Sequence, residues 1–493
     1  MLNKINKKNL FSALLLFAIG VACFFTYSWI LRDKMYFLFD DINWIKRVKY
    51  DFDIKHFLHV FPTSRYNDRP LRTLFFYILY NLFGMEYQKY YLAVLILHIV
   101  VVYLYFYLVY RVITRCDVDP QKAFGYAYVC AIFFGMFPKN GMAVYWLAGA
   151  ANDMLCTFFA VICIIFHLKF CDESKSNWKK ILWAIASLLM YICSMRSKEA
   201  AIGLPIILGI HDIYMAYRKK KKPYITGNSI VCSIYMLIYV IRIFTLPVGL
   251  TGAGQYEQNF SPISMMIVLF NYIKMYFSID SPSFTYDAFW DNRLGNVGLV
   301  IISAIIALAI YKIYINKERE KNIALLCLCI AAGVTLAPLL VLPNIQHLLY
   351  FYFPGIILSM LLGICLYDIL NLGKGKFSTV LPIVFTFVLL IILNNVGGAK
   401  SLQNFWIDWG EKALTASQDI ENLRERSTNA NIYVKNANQG ANIFNYGPGA
   451  IVNILYDDSN IHVFLLEDVS SELIEPYVVW QYDETTGHVI YLE

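Results

Sequence analysis

Residues 37–45 read FLFDDINWI and place two adjacent carboxylates, Asp40 and Asp41, shortly after an apolar segment at 11–31. A segment of this length can cross a membrane, so we expect the acidic pair to lie at the membrane surface. Charge this close to hydrocarbon is costly unless it is solvated or paired, which makes both residues functional candidates. The alternative is that the two carboxylates only mark the end of the helix.

The composition predicts that most of the chain lies in lipid. Of the 493 residues, 58% are hydrophobic and 16% are charged, whereas soluble chains carry about 25% charged residues. The net charge of +7 comes from Lys and Arg in short loops between apolar runs, as in membrane proteins, so no nucleic-acid partner is expected. The 11 cysteines lie mostly inside apolar segments, and no disulfide framework is expected.

The apolar runs predict a polytopic α-helical membrane protein with about eleven spanning helices. These helices are expected near 11–31, 90–111, 123–138, 150–169, 180–195, 200–217, 228–246, 296–315, 323–341, 348–370 and 378–396. With the lysine-rich N-terminus in the cytoplasm, every predicted inner loop is basic, as the positive-inside rule requires. No small-residue cleavage site follows the first apolar run, so we expect a retained anchor.

Two predicted outer segments are long, at 32–89 and 247–295. Each contains an apolar stretch that is expected to form a helix lying on the membrane, residues 70–83 and 262–277. Loops of this length are usually functional, so we expect these two segments to form the site.

The composition changes near residue 397, which divides the chain into a transmembrane domain at 1–396 and a small extracytoplasmic α+β domain at 397–493. Residues 400–425 are expected to form a helix. Five short runs divided by turn signals are expected to form strands: NIYVKN, AIVNILY, IHVFLL, YVVWQY and HVIYL.

Four further polar stretches fall on the predicted outer side, with Asp40. They are YNDRPLRTL at 66–74, FPKNGMAVYWLAGAANDM at 137–154, SKEAAIGLP at 197–205 and QHLLYFYFP at 346–354. Scattered polar residues would be divided between the two faces. The one-sided clustering therefore indicates a common site.

In order and spacing these motifs resemble those of the type C (GT-C) glycosyltransferases, multi-spanning enzymes that use polyprenyl-phosphate sugars. Protein O-mannosyltransferases and TPR-containing transmembrane mannosyltransferases are the relatives that the pattern resembles. The resemblance covers about residues 30–370, and the matching residues are Asp40–Asp41, Arg69–Pro70–Leu71, Leu97–His98, Trp146 with Asp153, Lys198–Glu199 with Pro205, and Tyr350–Phe351–Tyr352–Phe353–Pro354.

Three departures from the family pattern leave the sugar and the acceptor open. Ala151 stands where the mannosyltransferases usually carry an Arg, and Gln346–His347 stands where they carry Glu-Arg. No TPR array follows the membrane domain.

The resemblance implies direct displacement at an anomeric carbon, in which an acceptor hydroxyl loses its proton as it attacks. A carboxylate within hydrogen-bond reach can take that proton. Asp40 is the expected general base, because family members use the first acid of the pair in this way. Asp41 is expected to hold the acceptor, orient Asp40 or bind a metal; the alternative is a loop-capping acid.

The leaving lipid phosphate needs fixed cations or hydrogen-bond donors. The candidates on the same face are Arg69, Arg72, Lys198 and His347. Arg suits bidentate phosphate contacts and Lys a point-charge contact. The alternatives are pairing of Lys198 with Glu199 or snorkelling of Lys198, pairing of Arg69 with Asp68 or Asp41, and a structural role for His347. Cavity or substrate contacts are expected from Asp153, Glu199, Tyr350 and Tyr352.

No metal site is assigned, although a divalent ion (Mg or Mn) remains open as a cofactor. His56 and His59 have a spacing that permits a metal on one helix face, but no firm third ligand accompanies them. His98 lies inside an apolar helix and is expected to be a packed, hydrogen-bonded residue.

The sequence thus predicts an integral-membrane, mannosyltransferase-like enzyme that transfers a sugar from a polyprenyl-phosphate donor to a glycan, lipid or protein acceptor. Such a reaction serves cell-envelope glycan synthesis or protein glycosylation. The expected location is the bacterial plasma membrane, with the endoplasmic reticulum as the alternative. A lipid-linked oligosaccharide polymerase or ligase, and a transporter, are the competing functions, although no internal repeat of the kind transporters show is present.

Overall fold

The computed structural model describes residues 7–32, 35–38, 40–55, 59–62, 69–173, 176–245, 257–277, 319–344, 346–371, 380–395, 397–427, 429–437, 443–444, 449–466 and 473–492. Over these residues the chain is a helical membrane protein with a small sheet near its C-terminus. The longer helices are α1 Lys7–Tyr27, α2 Asp41–Tyr50, α3 Pro70–Phe83, α4 Tyr87–Thr114, α5 Pro120–Met136, α8 Leu155–Asp172, α9 Asn177–Ser197, α10 Leu204–Arg218, α11 Gly227–Thr245, α12 Pro262–Phe277, α13 Arg319–Leu340, α14 Tyr352–Leu370, α15 Val380–Asn395 and α16 Gly397–Asn422.

Short helical pieces complete these elements. They are α6 Met142–Tyr145, α7 Leu147–Gly149, α17 Arg424–Ser427, α18 Gly449–Tyr456, a π-helical turn at Ala150–Met154, and 3-10 turns at Ser28–Leu31, Pro138–Asn140, Glu199–Gly203 and Leu348–Phe351. In the interior, α5 packs against α4, α14 and α15, and α8 packs against α9.

The predicted spans agree with the helices of the described residues. Eight of these helices are long and apolar enough to cross a membrane. The predicted span at 123–138 is instead one half of a pair bent by 53°, Pro120–Met136 followed by Pro138–Tyr145. The bend falls at Pro138, which lacks an N–H and keeps Phe137 out of the helical region. Val380–Asn395 is a shorter apolar helix, and the predicted span at 296–315 lies outside the described residues.

The two stretches expected on the membrane surface are helical over the predicted ranges. Helix α3 begins at Pro70, whose missing N–H costs nothing in a first turn. Helix α12 covers 262–277. Their depth in the bilayer stays a prediction.

The C-terminal sheet has four strands, β1 Asn431–Lys435, β2 Val463–Leu465, β3 Tyr477–Tyr482 and β4 Val489–Tyr491, in the order β2-β1-β3-β4. Strand β1 is parallel to β2 and β3, and β3 is antiparallel to β4. Four of the five predicted strands are therefore confirmed.

The fifth predicted strand, AIVNILY, is wrong. These residues form helix α18, with Ile451 and Ile454 buried in the core. The parallel pairing of β1 with β2 requires a crossover connection, which in such units is usually a helix. This tertiary requirement overrides the β-branched composition of the run.

Helix α2, which begins at Asp41, packs against the C-terminal region. Lys49 Nζ lies 2.6 Å from Asp457 Oδ1 and donates to the carbonyl of Ile454 at 3.2 Å. Tyr50 Oη donates to the carbonyl of Asn453 at 2.8 Å. The C-terminal region is thus attached directly to the helix that carries the acidic pair.

Orientation in the membrane can be checked with reporter fusions. We expect fusions after residues 220 and 400 to report opposite compartments, the first cytoplasmic, because every predicted inner loop is basic. Fusions reporting the same compartment would remove the topological argument for a common outer site.

Candidate active site

The Asp40 carboxylate is held between two tryptophan side chains. Its Oδ2 accepts a hydrogen bond from Trp44 Nε1 at 3.3 Å, one turn further along α2. Its Oδ1 accepts from Trp146 Nε1 at 3.1 Å, from the break between α6 and α7. Burial raises the pKa of Asp40, and the positive charge of Arg72 and the two indole hydrogen bonds oppose the rise. The side chain is half-buried, so the carboxylate is fixed in orientation without being sealed off.

Arg72 lies over the indole ring of Trp44. Its guanidinium stands 3.4 Å from the centroid of the indole ring, a cation–π contact. The residue comes from the first turn of α3 and is nearly buried. Trp44 therefore contacts both groups, Asp40 through its N–H and Arg72 through its ring face, and the charge of Arg72 acts on the carboxylate.

Asp41 occupies a different environment from its neighbour. It is 0% exposed, and its oxygens accept from the backbone N–H of Ala148 at 2.8 Å and of Leu38 at 3.4 Å. Burial and the charge of Asp40 raise the pKa of Asp41 well above its ordinary value. Asp41 joins the turn before α2 to α7, an arrangement that fits an orienting role rather than contact with an acceptor.

Lys198 and Asp153 form a buried ion pair. Lys198 Nζ lies 2.7 Å and 2.6 Å from the two carboxylate oxygens of Asp153. The same ammonium group stands 4.2 Å from the centroid of the Tyr350 ring. Asp153 lies in the π-helical turn Ala150–Met154, an irregularity that is frequent at functional sites.

Arg69 pairs with Glu199 and not with Asp41. Arg69 Nη2 and Nε donate to Glu199 Oε2 at 2.8 Å and 3.2 Å. Asp68, the other predicted partner, lies outside the described residues. The predicted pairing of Lys198 with Glu199 is likewise absent. Lys198 has an extended backbone, with φ −162° and ψ 144°, so neighbouring side chains point in opposite directions and each finds its own partner.

His347 lies between the two halves of the site. Its ring centroid is 5.9 Å from that of Trp146 and 6.0 Å from that of Tyr350. Its Nδ1 accepts from the backbone N–H of Leu349 at 3.4 Å. Burial and the charge of Lys198 lower the pKa of His347 to about 4, so the ring is neutral near pH 7 and can act as a hydrogen-bond donor but not as a cation.

Tyr352 lies in the helical interior rather than beside the other candidates. It is 1% exposed, and its hydroxyl is 2.8 Å from His98 Nδ1, whose Nε2 lies 2.9 Å from the carbonyl of Gly135. These contacts describe a packed core, as expected for His98. Of the two candidate tyrosines, Tyr350 is the one that contacts the charged group.

The structure thus brings most of the predicted residues together, in two parts joined by Trp146 and His347. One part is Asp40 with Arg72; the other is the two ion pairs. The sequence analysis named Trp146 only as part of the family pattern and did not single out Trp44, and it predicted neither as a partner of Asp40. Trp44 follows Asp40 at the i,i+4 spacing that brings two side chains together on a helix, so its contact with Asp40 could have been predicted. The contact of Trp146 with Asp40 depends on the tertiary fold and could not.

Comparisons with known proteins give a distant likeness. No family model matches the chain, and no curated protein matches it. The chain is similar to two solved structures of ArnT from Cupriavidus metallidurans, one bound to undecaprenyl phosphate and one in the apo state. Each has 11% identity and a TM-score of 0.48, and the matches cover 96% and 97% of this chain and 93% and 94% of those chains. At this identity and TM-score the likeness assigns the chain neither a fold family nor an activity.

Proposed function

We propose that the protein is an integral-membrane glycosyltransferase that moves a sugar from a polyprenyl-phosphate donor to an acceptor hydroxyl, on the outer face of a bacterial plasma membrane. The observation that carries this proposal is the Asp40 carboxylate, which is oriented by two indole N–H groups and acted on by the charge of Arg72. It is linked through Trp146 and His347 to the cations of the two ion pairs. A base next to cations is what displacement of a phosphate from a sugar requires.

In the proposed reaction, the acceptor oxygen forms a bond to the anomeric carbon as the bond from that carbon to the phosphate oxygen breaks. The acceptor proton passes to Asp40. Since burial raises the pKa of Asp40, the carboxylate is a stronger base than an exposed aspartate. The hydrogen bonds from Trp44 and Trp146 keep it in place for the transfer.

The lipid phosphate gains negative charge as it leaves, and three cations of the site are placed to stabilise it. Arg72 is the cation that acts on Asp40. Lys198 and Arg69 each carry a carboxylate partner, which fixes their positions and leaves further N–H groups for a phosphate. His347, neutral near pH 7, adds a donor.

A cleft lined mainly by α1 and α15 is suited to a lipid substrate. Its volume is about 740 Å³. Its apolar lining includes Val21, Phe25, Phe387 and Ile391, and Arg32 and Lys400 stand at its polar part. Tyr145, which precedes Trp146 in the chain, also lines it. A hydrocarbon chain could be held by this apolar lining, and Tyr145 connects the cleft through the chain to Trp146, the hydrogen-bond partner of Asp40.

The proposal is tested by sugar transfer in proteoliposomes that contain the purified protein. Undecaprenyl phosphate carrying a labelled sugar is a suitable donor probe, offered with candidate glycan, lipid and protein acceptors. A transferase yields a labelled product and releases undecaprenyl phosphate. Movement of intact donor between leaflets without any product would instead establish a transporter and overturn the proposal.

The attachment of the C-terminal region to α2 gives a prediction for acceptor use. The paired change Lys49→Gln with Tyr50→Phe removes the contacts to Asn453, Ile454 and Asp457 while keeping the chain whole. We expect acceptor kcat/KM to fall several-fold with donor binding unchanged, because the position of Asp40 depends on α2.

Truncation after residue 397 is the stronger form of this change, but it also removes Lys400 from the cleft, so it should reduce both transfer and donor binding. Equal loss of donor binding and transfer in the paired variant, which keeps Lys400, would assign the C-terminal region a folding role instead. Lys46→Gln, on the same helix, is the matched control for loss of a positive charge on α2.

A further inference from the structure

At the opposite end of the helices from Asp153, four potential metal ligands come together. His167 and Cys171 lie one turn apart on α8, and His211 and Asp212 are adjacent on α10. The ligand atoms of all four lie within 4.8 Å of one another. His167 and Asp212 are buried, with side chains 0% and 1% exposed. None of these residues takes part in the proposed transfer reaction.

Five of the six separations of the ligand atoms are close to those around a tetrahedral ion, and the sixth, between Cys171 and His211, is within 4.8 Å. His167 Nε2 lies 3.2 Å from both His211 Nδ1 and Asp212 Oδ1. Cys171 Sγ lies 3.6 Å from His167 Nε2 and 3.9 Å from Asp212 Oδ1, and His211 Nδ1 is 3.7 Å from Asp212 Oδ1. Tetrahedral zinc with bonds of about 2.0–2.3 Å separates its ligand atoms by roughly 3.3–3.8 Å.

Surrounding residues orient the Asp212 carboxylate toward this cluster. Its Oδ2 accepts three hydrogen bonds, from Thr226 N at 2.9 Å, Thr226 Oγ1 at 2.8 Å and Ser229 Oγ at 2.7 Å. Oδ1 is left facing the imidazoles and the thiol. Such outer contacts are what hold metal-binding carboxylates in place.

The His167 ring is oriented in the same way. Zinc on Nε2 requires the proton on Nδ1, which lies 3.1 Å from the Asn228 amide. In the described residues Asn228 Oδ1 has no hydrogen-bond partner, whereas the amide nitrogen also donates to Ser187 Oγ at 3.0 Å. With the amide flipped, Oδ1 would accept from Nδ1–H and the Ser187 hydroxyl would become a donor to the same oxygen. His211 presents Nδ1 to the cluster, and its Nε2 lies 3.4 Å from the donor Arg115 Nη1. Zinc on Nδ1 puts the proton on Nε2, so this contact must open when the ion binds.

We propose that His167, Cys171, His211 and Asp212 bind a structural Zn²⁺ ion that ties α8 to α10. Binding converts the Cys171 thiol to a thiolate and releases its proton to solvent, with no change of oxidation state. One thiolate and one carboxylate balance the charge of the ion, which suits a buried site. A closed set of four protein ligands is typical of structural rather than catalytic zinc. This proposal does not rest on the proposed function.

The test is the zinc content of the full-length protein, purified in detergent through a peptide tag that binds no metal. We expect about one zinc ion per chain in the wild type and less than about a tenth of that in His167→Gln with Cys171→Ser. The matched control is Cys116→Ser, which changes a half-buried thiol near Tyr214 outside the cluster and should keep its zinc. Sugar transfer is not part of the readout.

A second measurement avoids dependence on the folding of the variants. Replacement of zinc by Co²⁺ in the wild type should give the near-ultraviolet absorption of a cobalt–thiolate bond, and chelation should lower the unfolding temperature. Wild type that holds no zinc after incubation with micromolar zinc, or gives no thiolate band with cobalt, would overturn the proposal and leave a hydrogen-bonded network. Equal zinc in the double variant and the wild type would also overturn it.

Discussion

Asp40→Asn is expected to reduce sugar transfer by about 10²–10⁴-fold, the usual loss when a positioned base is removed. The amide is nearly isosteric and keeps one oxygen to accept from Trp44 or Trp146, while its NH₂ group meets the other indole N–H. Because Asp40 and both tryptophans are only half-buried, water can satisfy the indole N–H that faces the amide, so folding and donor binding should change little. The measurement is the transfer rate per folded molecule in proteoliposomes, beside donor binding and the unfolding temperature.

Asp41→Asn is the matched control for this change, because it alters the adjacent carboxyl group in the same way. Asp41 is fully buried and accepts from two backbone N–H groups, and an amide can accept from only one of them with its oxygen. A buried donor left unsatisfied costs about 1–3 kcal/mol. We expect lower stability with largely retained transfer per folded molecule. If Asp41→Asn is the more damaging to transfer, the wrong carboxylate has been assigned as the base.

The dependence of the rate on pH gives independent evidence on Asp40. A general base must be ionised, so the rate should fall as pH drops through its pKa. Burial raises that pKa above the ordinary value of 3.8, so the acid limb of the wild-type profile should lie at higher pH than an exposed aspartate would give. The limb should be absent from the residual activity of Asp40→Asn.

Much of the membrane fold could be predicted because its signals are local. Apolar runs long enough to cross a bilayer are visible in the sequence, and the described spans fall on them. The bend at Pro138 is a feature that these local signals predict only in part. Proline makes a break predictable, but the direction of the chain beyond it depends on packing. The strand predicted for AIVNILY is wrong for a related reason. The strands on either side of this run, β1 and β2, are parallel, and their connection is a helix.

The partners of the charged residues could not be predicted from the sequence. Lys198 and Glu199 are neighbours in the chain, and a pair between them was a reasonable expectation. An extended backbone at Lys198 sends the two side chains to opposite sides, toward Asp153 and Arg69. Asp153 and Arg69 lie far from Lys198 and Glu199 in the sequence. Only the folded structure therefore shows that each of the two cations is paired with a carboxylate.

This pairing changes how Lys198 should be tested. Lys198→Met alone removes the charge but leaves the buried Asp153 carboxylate without its partner, and breaking a buried pair in this way costs about 3–5 kcal/mol. Lost activity in that variant would therefore report instability as readily as a role in phosphate binding. The informative variant is Lys198→Met with Asp153→Asn, which removes both charges and should recover most of the stability.

If Lys198 stabilises the leaving phosphate, the double variant should stay about 10²–10³-fold slower than wild type, the usual loss on removing one such donor. Its unfolding temperature should return toward the wild-type value. The measurements are transfer per folded molecule and the unfolding temperature. The double variant Arg69→Met with Glu199→Gln makes the same kind of change at the neighbouring ion pair and is measured in parallel. Recovery of both stability and transfer in the Lys198 double variant would show that the Lys198–Asp153 pair only holds α8 against α9. Stabilisation of the leaving phosphate would then be assigned to Arg72.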